Sequence, residues 1–202
     1  RGLMTTTEFK NEFNILYDSI ASNSAPDLDD YELSVFLTKA QKELVNNKFN
    51  PKSNRLAEGF EQTTKRRNDL KELIKSYTTS LEQPLDRNIH SDSKFYIIPS
   101  DVYLTLQESA VIQCGSTNKT VEVTPKTHDE YNVQINNPFK KPYEKEVWRL
   151  DYSSKEAGNA VVELISTNPI VEYTIRYIKY PLPIIISDLT VFGEGLSIDG
   201  KT

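Results

Sequence analysis

The chain has 202 residues, enough for one large domain or two small ones. It is polar and acidic, with 37% hydrophobic residues, a mean hydropathy of −0.54 and a net charge of −5. No apolar run is long enough to span a bilayer, no stretch reads as a secretory signal, the single cysteine Cys114 excludes an internal disulfide, and the negative balance argues against tight, non-specific coating of nucleic acid.

Met4, the only methionine, reads as the natural start, with Arg1, Gly2 and Leu3 a remnant without a role in the fold. Thr5 and Glu8 form a capping-box pattern, and Phe9, Phe13, Leu16, Tyr17 and Ile20 make a stripe at helical spacing. The segment SNSAP at 22–26 closes this helix. A second helix is predicted over 29–49, with Asp29 as N-cap and Glu32 reaching back to it. Its apolar face is Leu33, Phe36, Leu37, Ala40 and Leu44, and Asn50 before Pro51 ends it. The short connection predicts an antiparallel hairpin in which Phe9, Phe13 and Leu16 lie against Phe36, Leu37 and Ala40.

Residues 50–67 read as a polar loop. It carries Lys65, Arg66 and Arg67, the one triple basic run in the chain, either a solvated stretch or a dock for an acidic partner surface. Residues 69–77 resume a helical period through Leu70, Leu73, Ile74 and Tyr77, and Gln83-Pro84 stops it.

From residue 85 the character changes. Seven of the ten prolines lie beyond Pro84, and short runs rich in Tyr, Val and Ile alternate with turn residues. Residues 85–94 read as a linker. Phe95 to Ile98 is a short strand. Leu104, Leu106, Ala110 and Ile112 belong to a longer one, interrupted at Glu108 by a suspected bulge. A turn at 115–118 leads to a strand with Val121 and Val123 on one face. Further strands carry Trp148, Leu150 and Tyr152, then Val162 and Leu164 after a hairpin turn at 157–159, then Val171, Tyr173, Ile175 and Tyr177. The expected class is α+β: an N-terminal antiparallel helical hairpin or bundle over 1–84, an antiparallel β-sheet or small β-sandwich over 95–186, and a tail over 187–202.

Chemistry-bearing patterns are scarce. His128, Asp129 and Glu130 are adjacent, but neighbouring side chains diverge in helix or strand, so Thr127 and Glu130 read instead as a third capping box. A zinc site wants three or four convergent ligands, and the chain has only His90 and Cys114 besides His128 to add. There is no phosphate-cradling glycine loop and no nucleophile elbow, and Cys114 has no cationic neighbour in sequence to activate it. No enzyme, metal site or cofactor is expected. The candidate contact residues are Lys65, Arg66 and Arg67, with Phe139, Lys140 and Lys141 in the proline-flanked loop 137–142, and Tyr180 and Leu182 in the loop 180–183. Proline-ordered segments lose less entropy on docking. A second class of function, a monomeric module gripping a glycan or protein ligand through Trp148 and surface tyrosines, requires Trp148 to be exposed.

Several stretches carry a resemblance: EFKNEFNILYDSIASNSAPDLDDYELSVFLTKAQKELVNNKFN at 8–50, THDEYNVQINNPFKKP with VWRLDY between 127 and 152, and EYTIRYIKYPLPIIISDL with GLSIDG between 172 and 200. Together they resemble virion structural proteins of crAss-like phages of Bacteroidetes hosts, the ring or adaptor proteins of the head–tail connector. The resemblance implies a helical part with an inserted β domain, a dodecamer-like ring of copies of this chain contacting the portal or neighbouring connector and tail proteins, DNA passing through the lumen, no membrane, residence in the virion after synthesis in the bacterial cytoplasm, and no catalytic residues. It also implies a further C-terminal helix beyond the GLSIDG segment, so the chain is expected to be truncated or a shortened relative.

Overall fold

The structure, a computed structural model, describes residues 4–20, 28–50, 59–60, 63–82, 93–156, 159–191 and 196–201. Its elements in order are α1 (Thr6–Ile20), α2 (Asp30–Phe49), α3 (Thr64–Leu70), a 3-10 turn (Lys71–Leu73), β1 (Ile74–Thr79), β2 (Ser93–Ile98), β3 (Val102–Cys114), β4 (Thr117–Pro125), α4 (His128–Ile135), β5 (Val147–Glu156), β6 (Asn159–Ile165), β7 (Ile170–Lys179) and a 3-10 turn (Leu189–Val191). The chain divides into two compact units, a helical one from 1–70 with 181–202 and a β unit from 71–180. The linker predicted at 85–94 falls largely outside the described residues, and its last two residues open β2.

In the helical unit the capping boxes form as the local spacing requires. The Glu8 N–H donates to the Thr5 hydroxyl (3.3 Å) and the Thr5 N–H to the Glu8 carboxylate (2.8 Å). Asp29 and Glu32 do the same at the start of α2. Of the apolar stripe of α2 only Leu33 is fully buried, and Leu37 is half-buried. Leu33, Ser34, Thr38 and Val45 are buried, whereas Phe36 and Leu44 remain 55% and 56% exposed. On α1, Ile15 and Leu16 are exposed too, so the two stripes expected to meet as a hairpin do not bury each other; an ion pair from Lys10 to Asp30 links the helices instead.

What turns α2 is the returning chain. The Ile184 N–H donates to the Thr38 hydroxyl (3.1 Å) and the Ile186 N–H to the Ser34 hydroxyl (3.0 Å). Four helical residues advance about 6 Å and two extended residues about 6.6 Å, so hydroxyls one turn apart match alternate amides of an extended strap. Replacing Ser34 by Ala or Thr38 by Val is expected to cost about 1–2 kcal/mol each by stranding an amide. Amide exchange at Ile186 or Ile184 should accelerate correspondingly; unchanged exchange in both variants would show that the strap is held by something else. Near its end the strap makes a tight turn with Asp199 and Gly200 at positive φ (50° and 74°), closed by paired Ile198–Lys201 hydrogen bonds. Two positive-φ residues are the signature of a type I′ turn, which Asp-Gly suits, and Asp199 docks on α2 through Lys42 (2.7 Å).

The β unit is one seven-stranded sheet in the order β1-β7-β3-β4-β5-β6-β2. It is not wholly antiparallel as expected: β4 and β5 run parallel through Val123↔Val147 to Pro125↔Arg149. A parallel pair cannot be joined by a tight hairpin and needs a crossover, which α4 and the loop after it provide. The sheet curls until β2, one edge strand, meets β7, next to the other edge: the rings of Tyr96 and Tyr173 lie 5.8 Å apart. The inward side chains of both halves form a continuous core that includes Tyr96, Ile112, Val123, Leu164, Tyr173 and Ile175. On the opposite face Tyr131 and Ile135 of α4 cover Trp148, Leu150 and Ile165.

Strand β1 corrects the helical period read over 69–77. The 3, 4 and 7 spacing of its apolar residues fits a helix, but Ile74 to Thr79 pair with β7 along their whole length, Ile74 opposite Ile178 and Thr79 opposite Tyr173. Bulges set the phase elsewhere. The register against β7 skips at Leu106, not at Glu108, so Thr105 and Glu108 face the same way. A further skip at Val171 swings that residue outward and puts Ile170 in the core in its place. Glu108 is thereby buried, where it accepts from Arg149 of β5 (2.7 Å) and from the Tyr173 hydroxyl of β7. Burial, and then the Glu108 charge, push the Tyr173 hydroxyl well above the usual tyrosine range.

At the open end of β3, Asp101 accepts from Lys75 (2.8 Å) and the Tyr177 hydroxyl (2.8 Å). Burial alone would raise its carboxyl, but these two donors outweigh burial and hold it below the usual aspartate range. A carboxyl depressed on folding contributes stability above its unfolded value, and that contribution is lost as pH falls through the lower folded value. Urea midpoints should therefore fall below about pH 4, and Lys75→Met should flatten that acid limb; superimposable pH profiles for the two proteins would refute the linkage.

Candidate interaction surfaces

The best-formed projection of the β unit is the arm after α4. The third capping box, Thr127 with Glu130, starts α4 as expected, and the chain then leaves through Asn137. The Asn137 side-chain oxygen accepts the Phe139 N–H (3.0 Å), and its backbone carbonyl accepts the N–H groups of Lys140 and Lys141 (3.0 Å each). Pro142 is buried and anchors the far side. The result is a fixed turn with Phe139 at its tip, 96% exposed, and Lys140 and Lys141 exposed beside it. A second turn follows, with the Glu146 N–H donating to Tyr143 (2.9 Å).

The other predicted residues are dispersed. Lys65, Arg66 and Arg67 lie in α3, not in a loop. Arg66 donates to the Asn47 carbonyl at the end of α2 (3.1 Å), where a helix terminus favours a cation, and Lys48 pairs with Asp69. Arg67 reaches back to Thr64 (3.4 Å), and Lys65 and Arg67 are exposed while Arg66 is half-buried. Tyr180 is half-exposed, its ring 4.5 Å from that of Tyr103 and its N–H bonded to Asp101. Leu182 is exposed. Trp148 cannot serve as a glycan platform: it is 1% exposed, set edge-on against Tyr131, with the Lys126 ammonium 5.4 Å from its ring centre. His128 sits against the Asp151 carbonyl (3.2 Å), and among the described residues no group of three His, Cys, Asp or Glu could hold a metal ion.

Sequence reading missed one surface altogether. In the helical unit the start of α1 and the strap enclose an open groove of about 350 Å³, walled by Met4, Phe9, Pro183, Ile184, Ile185 and Ile186. Its walls are about 175 residues apart in sequence, so no local period reveals it. The visible signal was the run of three isoleucines after Pro181 and Pro183, which alternates with nothing polar.

Residues 4–202 match the protein family described as phage tail ring protein 3/4. The chain belongs to that family. It is 36% identical over 200 residues to "Ring protein 4/5" of Bacteroides phage crAss001, covering 98% of this chain and 82% of that protein. It is 34% identical over 201 residues to "Ring protein 3" of the same phage, covering 98% and 84%. Membership of the phage tail ring family makes this a virion structural protein, as the resemblance implied, and the relatives are named for an assembly and not for a reaction. No helix among the described residues is long and apolar enough to cross a membrane.

Proposed function

We propose that this chain is a non-enzymatic subunit of a ring in the phage head–tail connector, below the portal, built from copies of itself in a dodecamer-like closed arrangement and stacked on portal or neighbouring connector and tail proteins. The observation that carries the reading is the family match over residues 4–202, which includes both units. The surface supports it. Phe36, Ala40 and Leu44 lie one turn apart along α2 and all are exposed, an apolar stripe that a neighbouring subunit would cover.

Passage of DNA through the lumen suits the net charge of −5. Each phosphate contact adds affinity that must be broken as the genome moves, so an acidic or neutral lining lets DNA slide. Native mass spectrometry with negative-stain microscopy tests the assembly: closed rings, alone or on addition of the portal, are expected. A protein that stays monomeric at high concentration and binds neither portal nor another ring protein would overturn the reading.

A further inference from the structure

We propose that Phe139 of one copy seats in the groove between α1 and the strap of the next copy, and that this knob-and-groove contact propagates the ring. The inference rests on the ring reading above and deepens it by naming the two surfaces. An aromatic ring at 96% exposure gains much by burial, and the Asn137 hydrogen bonds already hold it in place. Docking therefore costs little ordering entropy. A central aromatic anchor entering a pocket is also the usual form of an interface hot spot.

The groove fits such a guest. At about 350 Å³ it lies at the small end of pockets that take a compact ligand, and its apolar side chains, Met4, Phe9 and Ile184 to Ile186 among them, are joined by Thr5 and Thr6. Charge favours the same pairing. Lys140 and Lys141 flank the knob, while Glu8 and Glu12, one turn apart, are exposed on the side of α1 adjoining Phe9. The cation on the other side of α1, Lys10, is already paired with Asp30. Symmetry supplies the third argument. The knob belongs to the β unit and the groove to the helical unit, so the contact joins unlike patches. Each copy then offers one knob and one groove, and such head-to-tail contacts close into rings when the rotation permits. The α2 stripe, by contrast, shows nothing of what covers it.

Two measurements on the full chain test this. Phe139→Ser should leave the thermal melt unchanged, since the side chain touches solvent, yet lower the ring population in native mass spectra at least tenfold. A photoreactive benzoylphenylalanine at position 139, irradiated in rings assembled from light and isotopically heavy chains, should cross-link between copies to peptides holding residues 4–9 or 183–186. Rings that form normally with Phe139→Ser, or cross-links that fall elsewhere in the second copy or in the portal, would overturn the knob-and-groove contact while leaving the ring reading intact. Wild-type protein that forms no assembly under any condition would remove the ring reading and this contact together.

Discussion

Arg149→Met is expected to destabilise the β unit by about 3–5 kcal/mol, the cost of leaving a buried carboxylate without its cation. Glu108 is the more deeply buried of the pair, with 5% of its side chain exposed against 14% for Arg149. Removing the arginine strands Glu108 with the Tyr173 hydroxyl alone. The opposite change costs less: Arg149 keeps its bond to Asp151 at the surface (2.9 Å), so Glu108→Gln should lose about 1–3 kcal/mol. Replacing both, Glu108→Leu with Arg149→Met, should recover most of the loss, because a buried pair scarcely outperforms apolar packing. Urea unfolding followed by the fluorescence of Trp148, the one tryptophan, reads the β unit selectively. An Arg149→Met cost below about 1 kcal/mol would mean that water reaches Glu108.

Trp148→Ala should cost the β unit about 3–5 kcal/mol, the range for emptying a large aromatic site in a core. The indole lies between α4 and the sheet, with Tyr131 edge-on to it and Leu150 and Ile165 in the same cluster. Its loss removes the surface on which the crossover helix rests, so the melting of α4 by amide exchange should track the global loss. Trp148→Phe should retain most of the packing. Denaturation followed by circular dichroism measures both, and a Trp148→Ala protein as stable as wild type would contradict the packing described.

Particular residues show where sequence reasoning reached and where it stopped. The three capping boxes were legible because each is closed within three residues, and so were the strands around Ile112, Val123, Leu150 and Leu164, whose short apolar runs are bounded by turn residues. The phase of those strands was not. A bulge is decided by the partner strand, so the skips at Leu106 and Val171 left no local mark beyond an out-of-place Glu108. The stretch from Leu70 to Tyr77 satisfied the helical period, and from Ile74 onward pairing with residues a hundred positions later overrides it. On α2 the apolar stripe was real, but of its five residues only Leu33 is fully buried. The polar Ser34 and Thr38 are buried because they serve amides of a segment about 150 residues away, and Phe36 and Leu44 are left outside. Proline and lysine around Phe139 marked the arm, whereas the groove was invisible until its two walls met.

That separation of the walls has a consequence for the order in which the chain folds. The β unit is contiguous in sequence and can complete itself while the chain is still being made, since domains fold as they emerge. Phe9 must wait for Ile184 to be added, about 10–35 s later at ordinary elongation rates of about 5–20 residues per second. Under the proposed knob-and-groove contact, a chain can offer Phe139 once its β unit is complete at residue 180, and can receive a neighbour's only after Ile186 has been added.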